Sequence, residues 1–270
     1  MSAFPSVERW PGEPSFALFR LVDGVEELVA HHGDLSAARP WASVSKMVVE
    51  MACGVEHDWG LHDFDQRIGP RATTLAHLLS HSSGLGLEDG DPVVDVATRR
   101  VYSNYAVDLA VEAIVGAHDA AQWLDDRIFR TLGMVTTSLE GRPSSGVTGS
   151  TEDMMTLAVA WLRSDGVARS TRDRMITPYL ADLDGVVPGF GRFTPCPWGL
   201  GPEVRGDKQH WMGDWPTASF GHFGQSGSLM LLNADEQVGL VATSTVAFGP
   251  WAVELWPTLT GELRRWALRS

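Results

Sequence analysis

Segments with the alternation of β-strands lie near both ends of the chain, and a long block with helical periodicity separates them. Near the amino end, residues 15–22 and 26–31 flank Asp23-Gly24, a pair typical of hairpin turns. Toward the carboxyl end, three strand-like segments precede an amphipathic segment at 250–268. These three segments are residues 218–222, 228–233 and 237–244. This order predicts one antiparallel sheet that joins both ends of the chain, with helices on its faces.

The predicted fold class is α+β, layered like an α/β sandwich, in a single domain of residues 1–270. We expect a sheet lobe of about residues 1–60 and 186–270, and an inserted, mostly helical lobe of about residues 61–185. A chain of this length buries roughly three quarters of its unfolded surface, so it needs neither a disulfide nor a metal to hold a core. A cleft between the two lobes is the natural place for a site.

Helical periodicity is clearest at residues 43–57, where apolar side chains recur every three or four residues on one face. Those side chains are Val44, Met47, Val48, Met51, Ala52 and Val55. The helices expected in the helical lobe are residues 75–79, 105–115, 120–132 and 151–163. The side chains expected on one face of the closing helix are Trp251, Leu255, Leu259, Leu263 and Trp266. Residues 186–217 are rich in glycine, proline and aromatic residues, which predicts loop or irregular strand.

The net charge of the chain restricts the classes of partner that we expect. Lysines and arginines number 21 against 34 acidic residues, for a net charge of −13. Nucleic acids and anionic membranes bind basic surfaces, so we expect neither as a partner and instead expect a small-molecule substrate. The sequence shows no basic and apolar leader and no run of 18 apolar residues, which favours a cytoplasmic protein. Cys53 and Cys196 are expected to be reduced thiols, and the oligomeric state is left open.

Ser43-Val44-Ser45-Lys46 is the first candidate for chemistry. Ser43 and Lys46, three residues apart, face the same side of a helix. A serine hydroxyl becomes a nucleophile when a base takes its proton, and a lysine whose pKa is lowered by burial can be that base. The main-chain amide of Ser43 at the helix start is also a candidate donor to an oxyanion. A capping serine beside a surface lysine gives the same spacing, so this motif alone is weak.

Tyr102-Ser103-Asn104 is the second candidate. The phenol of Tyr102 is suited to moving protons, and the amide of Asn104 is suited to binding a substrate carbonyl. A packed tyrosine followed by a turn asparagine is the alternative interpretation.

The third candidate lies at the end of the predicted strand 218–222. There the glycines beside His222, including Gly224, let a substrate approach the main chain closely. The Gln225 amide is a candidate second oxyanion donor. A strand end with a hydrogen-bonded histidine is the alternative.

A metal site is disfavoured. His77 and His81 are four residues apart, but the zinc motif H-E-x-x-H requires a glutamate that is missing here. No phosphate-binding loop and no G-x-S-x-G motif is present either. We therefore expect no metal and no cofactor.

Taken together, these segments resemble the serine β-lactamase and penicillin-binding-protein-like superfamily, above all the branch of class C β-lactamases and family VIII carboxylesterases. The resemblance follows the family order along the chain from about residue 15 to 268. The matching stretches are residues 42–46, 74–85, 101–105, 128–134, 149–154 and 221–224. Their joint occurrence is far more specific than any one motif.

The resemblance implies a role for each residue. Ser43 would form an acyl-enzyme, while Lys46 and Tyr102 would share the proton transfers. Asn104 would orient the acyl side of the substrate. The residues implied at the third motif and in the oxyanion hole are His222, Gly224 and Gln225, together with the Ser43 amide.

Two departures from the family pattern bear on the substrate. Phe223 stands where β-lactam-processing members carry Thr or Ser, and His222 replaces a permanently charged lysine. Both changes weaken recognition of a carboxylate beside the reacting carbonyl and favour a neutral ester or amide. The aromatic residues near this segment indicate an apolar pocket or, equally, core packing. They are Trp198, Trp211, Trp215, Phe220 and Phe223.

Glu50 is a further departure, because family members usually carry a small apolar residue there. It lies four residues after Lys46 and so shares its helix face. An ion pair between Glu50 and Lys46 would raise the lysine pKa and shift the base role toward Tyr102. A glutamate angled toward solvent is the alternative.

Three functional hypotheses remain. The first is a serine hydrolase that cleaves a small ester or amide through an acyl-enzyme on Ser43. The second is a β-lactamase or D-Ala-directed peptidase on the same scaffold, against which Phe223 and the absence of a leader count. The third is a catalytically silent binding protein, against which the retained Ser43, Lys46, Tyr102 and Asn104 count.

Overall fold

The computed structural model describes residues 5–116 and 118–269. Its strands are β1 (Ser15–Val22), β2 (Val25–His32), β3 (Arg39–Pro40), β4 (Ser138–Leu139), β5 (Val147–Gly149), β6 (Gly185–Val187), β7 (Gly191–Phe193), β8 (Glu203–Val204), β9 (Phe220–Phe223), β10 (Leu229–Asn233) and β11 (Val238–Thr243). Its helices are α1 (Ser45–Asp58), α2 (Leu75–Leu79), α3 (Asn104–Val115), α4 (Ala120–Leu124), α5 (Arg130–Leu132), α6 (Thr151–Arg163), α7 (Arg169–Ile176) and α8 (Pro250–Ala267). Short 3₁₀ turns cover Pro5–Arg9, Ala42–Val44 and Pro70–Ala72.

The main sheet has six strands in the order β2-β1-β11-β10-β9-β8, and neighbouring strands are antiparallel. The first long strand pairs with the last, with Ser15 opposite Thr243 and Arg20 opposite Val238. The antiparallel sheet that joins both ends of the chain is therefore confirmed, and with it the α+β fold class.

Alternation along the strands divides the core between the two faces of this sheet. Phe19, Met230 and Val241 belong to a buried cluster with residues of α1 and α6. Their strand neighbours Leu18 and Leu231 belong to a second cluster with residues of α8. Because side chains alternate with a period of two, one strand supplies both layers. The result is a sheet between α1 and α6 on one face and α8 on the other.

Several elements differ from the sequence expectation. Residues 120–132 do not form one regular helix, because a π-helical turn at Asp125–Phe129 separates α4 from α5. Residues 186–217, predicted as loop or irregular strand, contain short strands: most of the β6–β7 hairpin, and β8, which adds a strand to the main sheet. On α8 the buried face includes Leu255, Leu259 and Leu263, whereas Trp266 is 41% exposed. The short strands form although the β-propensity of their residues is low, because tertiary contacts outweigh that propensity.

Within the part of the chain that is described, no helix has both the length and the apolar character needed to cross a membrane. Cys53 and Cys196 are buried free thiols.

Candidate active site

Ser43 lies in the 3₁₀ turn Ala42–Val44 that leads into α1. This turn is anchored by Trp41, a fully buried residue whose indole Nε1 donates to Gly149 O at 3.0 Å. The Ser228 hydroxyl donates to Trp41 O at 2.7 Å from the strand-end turn after β9. The alternative interpretation of Ser43 as a capping residue is wrong, since α1 begins with no side-chain cap. The hydroxyl is therefore free for other contacts.

Lys46 is fully buried directly behind Ser43. Its Nζ donates to Asn104 Oδ1 at 2.7 Å and to Ser144 O at 2.9 Å. Ser43 Oγ is the third neighbour of the amine nitrogen, at 3.3 Å. Burial lowers the pKa of Lys46 to about 7, so a large fraction is neutral near neutral pH. A neutral amine with two hydrogens fixed in this way directs its lone pair at the serine hydroxyl.

The Tyr102 phenol contacts both Ser43 and His222. It hydrogen-bonds to Ser43, and its oxygen lies 3.4 Å from His222 Nε2. The Lys46 ammonium nitrogen lies 4.9 Å from the centre of the Tyr102 ring. Burial raises the pKa of Tyr102 well above its usual range, so the phenol keeps its proton. Tyr102 is thus a candidate proton donor, and Lys46 is the candidate base.

His222 lies on β9 and is buried. Its Nδ1 donates to Phe223 O at 2.7 Å, which leaves Nε2 as the acceptor that faces Tyr102. Burial, with a contribution from the charge of Lys46, lowers the pKa of His222 to about 3. The ring is therefore neutral at neutral pH and supplies no fixed positive charge to a substrate.

The strand-end turn after β9 packs tightly against the nucleophile turn. A Cβ on Gly224 would lie 2.3 Å from Trp41 O and 2.5 Å from Ser228 Oγ, so only glycine fits there. The Gly224 amide itself donates to Ser228 O at 2.9 Å. Among the described residues, no protein acceptor is recorded for the main-chain amides of Ser43 or Gln225. Both amides are thus available as hydrogen-bond donors, and their role in an oxyanion hole stays a prediction.

A cavity of about 240 Å³ opens at this point. The side chains around it that the sequence singled out are Ser43, Tyr102, Asn104, Trp198, His222, Phe223 and Gln225. Lys46 and Gly224 are not among the residues that line the cavity. Leu87 and Pro188 complete the lining and were missed, because an apolar residue in a loop carries no functional signal.

A closed circuit, that is, a ring of hydrogen bonds and ion pairs, surrounds Lys46. The sequence analysis did not predict most of its members. Asn104 Nδ2 donates to Glu88 Oε1 at 2.9 Å, and Arg142 pairs with both Glu88 and Asp108. Asp108 in turn accepts from the amide and the hydroxyl of Ser144, whose carbonyl accepts from Lys46. The circuit fixes both acceptors that orient the amine.

The aromatic residues divide between pocket and core. Trp198 and Phe223 line the cavity, whereas Trp211, Trp215 and Phe220 are fully buried away from it. Behind Trp198, Lys208 and His210 both contact Glu203 Oε1 at 2.7 Å. This second lysine of the chain is therefore structural.

Glu50 is neither paired with Lys46 nor angled toward solvent, which corrects both interpretations made from the sequence. It is fully buried, and no ion pair to Lys46 forms in the described structure. Among the described residues, no group hydrogen-bonds to either carboxyl oxygen. The loop at Gly201 covers it so closely that a Cβ there would lie 2.3 Å from Glu50 Cδ. Burial raises the pKa of Glu50 well above its usual range, which favours its neutral form.

His77 and His81 both serve local structure. His77 closes a capping box with Thr74 at the start of α2. His81 Nδ1 accepts from the Ser103 amide at 3.2 Å, and its ring packs 4.6 Å from that of Tyr102. No cluster of metal-ligating side chains occurs among residues 5–116 and 118–269.

Comparison with solved structures finds the same architecture elsewhere. A β-lactamase from Mycobacterium bovis is 33% identical, with a TM-score of 0.91 over 97% of this chain and 98% of that one. EstA from Arthrobacter nitroguajacolicus is 16% identical, with a TM-score of 0.75 over 97% and 94% of the two chains. Simvastatin synthase from Aspergillus terreus is 15% identical, with a TM-score of 0.76 over 97% and 95%. The last two likenesses concern the fold alone.

Among curated proteins, none matches this chain. The Beta-lactamase family model matches residues 38–263, which include all the motifs described above. With this match and the 33% identical relative, the chain belongs to the Beta-lactamase family.

Proposed function

We propose that this protein is a serine hydrolase that cleaves a small ester or amide through an acyl-enzyme on Ser43. The observation that carries the proposal is the geometry of Lys46. Its Nζ donates hydrogen bonds to Asn104 Oδ1 and Ser144 O. The remaining position on the nitrogen faces Ser43 Oγ. Membership of the Beta-lactamase family supports hydrolytic chemistry in general.

The first half-reaction forms the acyl-enzyme. Neutral Lys46 accepts the Ser43 proton while Oγ bonds to the substrate carbonyl carbon, and the carbonyl oxygen becomes an oxyanion between the Ser43 and Gln225 amides. The oxyanion then collapses, and the bond from carbon to the leaving group breaks. Tyr102 gives its proton to the leaving alcohol or amine and is reprotonated from Lys46, which returns to the neutral form.

The second half-reaction releases the acid. A water molecule attacks the Ser43 ester from the cavity and gives a proton to Lys46 as the new carbon–oxygen bond forms. Collapse of this second intermediate breaks the bond to Ser43 Oγ, and the proton returns to the serine. Atoms balance as one water consumed for each ester or amide cleaved.

Neutral substrates fit the cavity better than a β-lactam carboxylate. His222 is uncharged and Phe223 presents a ring where a hydroxyl would bind that carboxylate. A β-lactamase or D-Ala-directed peptidase remains the second candidate, since the 33% identical relative from Mycobacterium bovis is described as a β-lactamase. A silent binding protein is the third.

Hydrolysis of p-nitrophenyl butyrate by wild type and by Ser43→Ala tests the proposal. We expect turnover by wild type and background rates for Ser43→Ala, with equal circular dichroism for both. Ser138→Ala, a change at an exposed serine, is the matched control and should retain full activity. If wild type and Ser43→Ala are equally inactive, a chromogenic cephalosporin and D-amino-acid amides decide between the other two candidates.

A further inference from the structure

A second cavity, of about 440 Å³, adjoins the candidate active site. Leu87, Tyr102 and Pro188 line both cavities, so the two meet at these side chains. The active-site cavity alone is smaller than the ~300–1,000 Å³ of typical ligand sites, whereas the two together fall within that range. A substrate that reaches Ser43 therefore has room for a further arm beyond Tyr102.

The walls of this second cavity are largely apolar. Val101 and Val186 line it together with Leu87, and Val186 and Leu87 are 53% and 45% exposed. Large apolar side chains exposed together at a cavity mark a binding surface more often than isolated ones do. The β6–β7 hairpin that carries Val186 is held in place by the Arg100 amide, which donates to Asp184 O at 2.7 Å.

The cavity is also positively charged in an otherwise acidic protein. Its lining includes three arginines and one aspartate, against a net charge of −13 for the chain. Arg192 pairs with Asp184, and exposed Arg99 makes no ion pair among the described residues. Nearby Arg71 pairs with Asp95 and is not among the residues that line this cavity.

Arg100 contributes a cation beneath the cavity floor. Its guanidinium is buried and donates only to main-chain carbonyls, those of Ser80, Tyr179, Leu180 and Cys196. No carboxylate compensates its charge in the described part of the chain. Burial lowers the pKa of Arg100 to about 10, so it stays charged at neutral pH. Its field is screened little at this depth and favours an anion nearby.

We propose that this second cavity binds an arm of the substrate that is apolar along its length and ends in a carboxylate or a similar anion, which Arg99 and Arg192 contact at the rim. The inference rests on the proposed function and narrows its substrate class to acid-terminated esters or amides. The anion lies at the far end of the arm from the reacting carbonyl, so the loss of carboxylate recognition at His222 and Phe223 does not oppose it. The apolar walls hold the arm, and the arginines select its end.

Two pairs of eight-carbon probes test the proposal. The acyl pair is mono-p-nitrophenyl suberate against p-nitrophenyl octanoate, and the alcohol pair is the butyrate ester of 8-hydroxyoctanoic acid against octyl butyrate. We expect the acid-terminated member of one pair to have a kcat/KM about tenfold higher. The preference should fall as salt rises, because ions screen the exposed arginines.

Substitutions test whether Arg99 and Arg192 cause the preference for the acid-terminated probes. Arg99→Ala and Arg192→Ala should each reduce it about threefold or more while leaving p-nitrophenyl butyrate turnover unchanged. Arg9→Ala, a change at an exposed arginine that pairs with Glu254, should keep it in full. Val186→Trp should slow the eight-carbon probes but not p-nitrophenyl acetate, and Val135→Trp, at an 89% exposed position, should slow neither.

The proposal is overturned if neither pair shows a preference, or if the preference survives both arginine variants. Such a result would leave the proposed function standing as long as p-nitrophenyl butyrate is cleaved at Ser43. If no ester is cleaved, the cavity is tested by calorimetric titration of monomethyl suberate into Ser43→Ala with and without Arg99→Ala. Binding that is lost with Arg99 supports the cavity even then, and no binding to Ser43→Ala refutes it.

Discussion

Lys46 and Glu50 lie one helical turn apart on α1, both fully buried, and no ion pair joins them in the described structure. Burial drives the pKa of the amine down and that of the carboxyl up. Burial thus favours the neutral form of each group, since an uncharged amine and an uncharged carboxyl lose less solvation. A base next to a neutral acid keeps its lone pair, which an ionised glutamate would work against.

This relationship predicts that Glu50→Gln changes the pH dependence little. Glutamine has the shape of the neutral acid, so the acidic limb of kcat/KM should stay within about half a pH unit of wild type. An ionised Glu50 would instead raise the lysine pKa, and its loss would move the limb a full unit or more toward acid. Glu56→Gln, a change at a buried glutamate of α1 that pairs with Arg127, is the control.

Lys46→Arg should abolish the base. Burial places the pKa of Lys46 at about 7, so wild-type kcat/KM should fall below that pH as the amine gains a proton. An arginine stays charged at every working pH, and we expect a loss of about 10²–10⁴ in kcat. Lys208→Arg, which keeps the charge beside Glu203, should retain the acidic limb of wild type. Equal activity of Lys46→Arg and wild type would transfer the base role to another group.

Arg142→Ala should loosen the acceptors of Lys46 without touching substrate. Arg142 pairs with Glu88, which holds Asn104, and with Asp108, which holds Ser144. We expect kcat to fall about tenfold with a smaller change in KM, because the base rather than the binding cavity is displaced. Arg130→Ala removes ion pairs elsewhere on the surface and should leave both constants unchanged. A change in KM alone would contradict the positioning role.

The sequence predicted contacts between residues that are close in the chain and missed those between residues that are far apart. Ser43 and Lys46 were found because their spacing is set within one helical turn. Ser144 and Glu88 were not, because neither shows a local pattern. Ser144 contacts the amine from 98 positions away, and Glu88 holds Asn104 from 16 positions away.

Glu50 also shows that a local sequence pattern does not report contacts with distant parts of the chain. Helical spacing correctly placed it on the face of Lys46. Its burial depends on the main chain at Gly201, which packs over the carboxyl from the far end of the chain. No periodicity reports that contact, so the predicted ion pair was wrong although the predicted face was right.

His222 should make the protein less stable in mild acid. Its folded pKa of about 3 lies below the ordinary value of 6.5, so between these pH values the unfolded chain binds more protons. The free energy of unfolding should therefore fall as pH falls, by about 2 kcal/mol for this group between about pH 7 and about pH 5. His222→Gln should lose that share in urea unfolding followed by tryptophan fluorescence, whereas His31→Gln, at an exposed position, should follow wild type. Identical pH dependence in all three would mean that folding does not lower the pKa of His222.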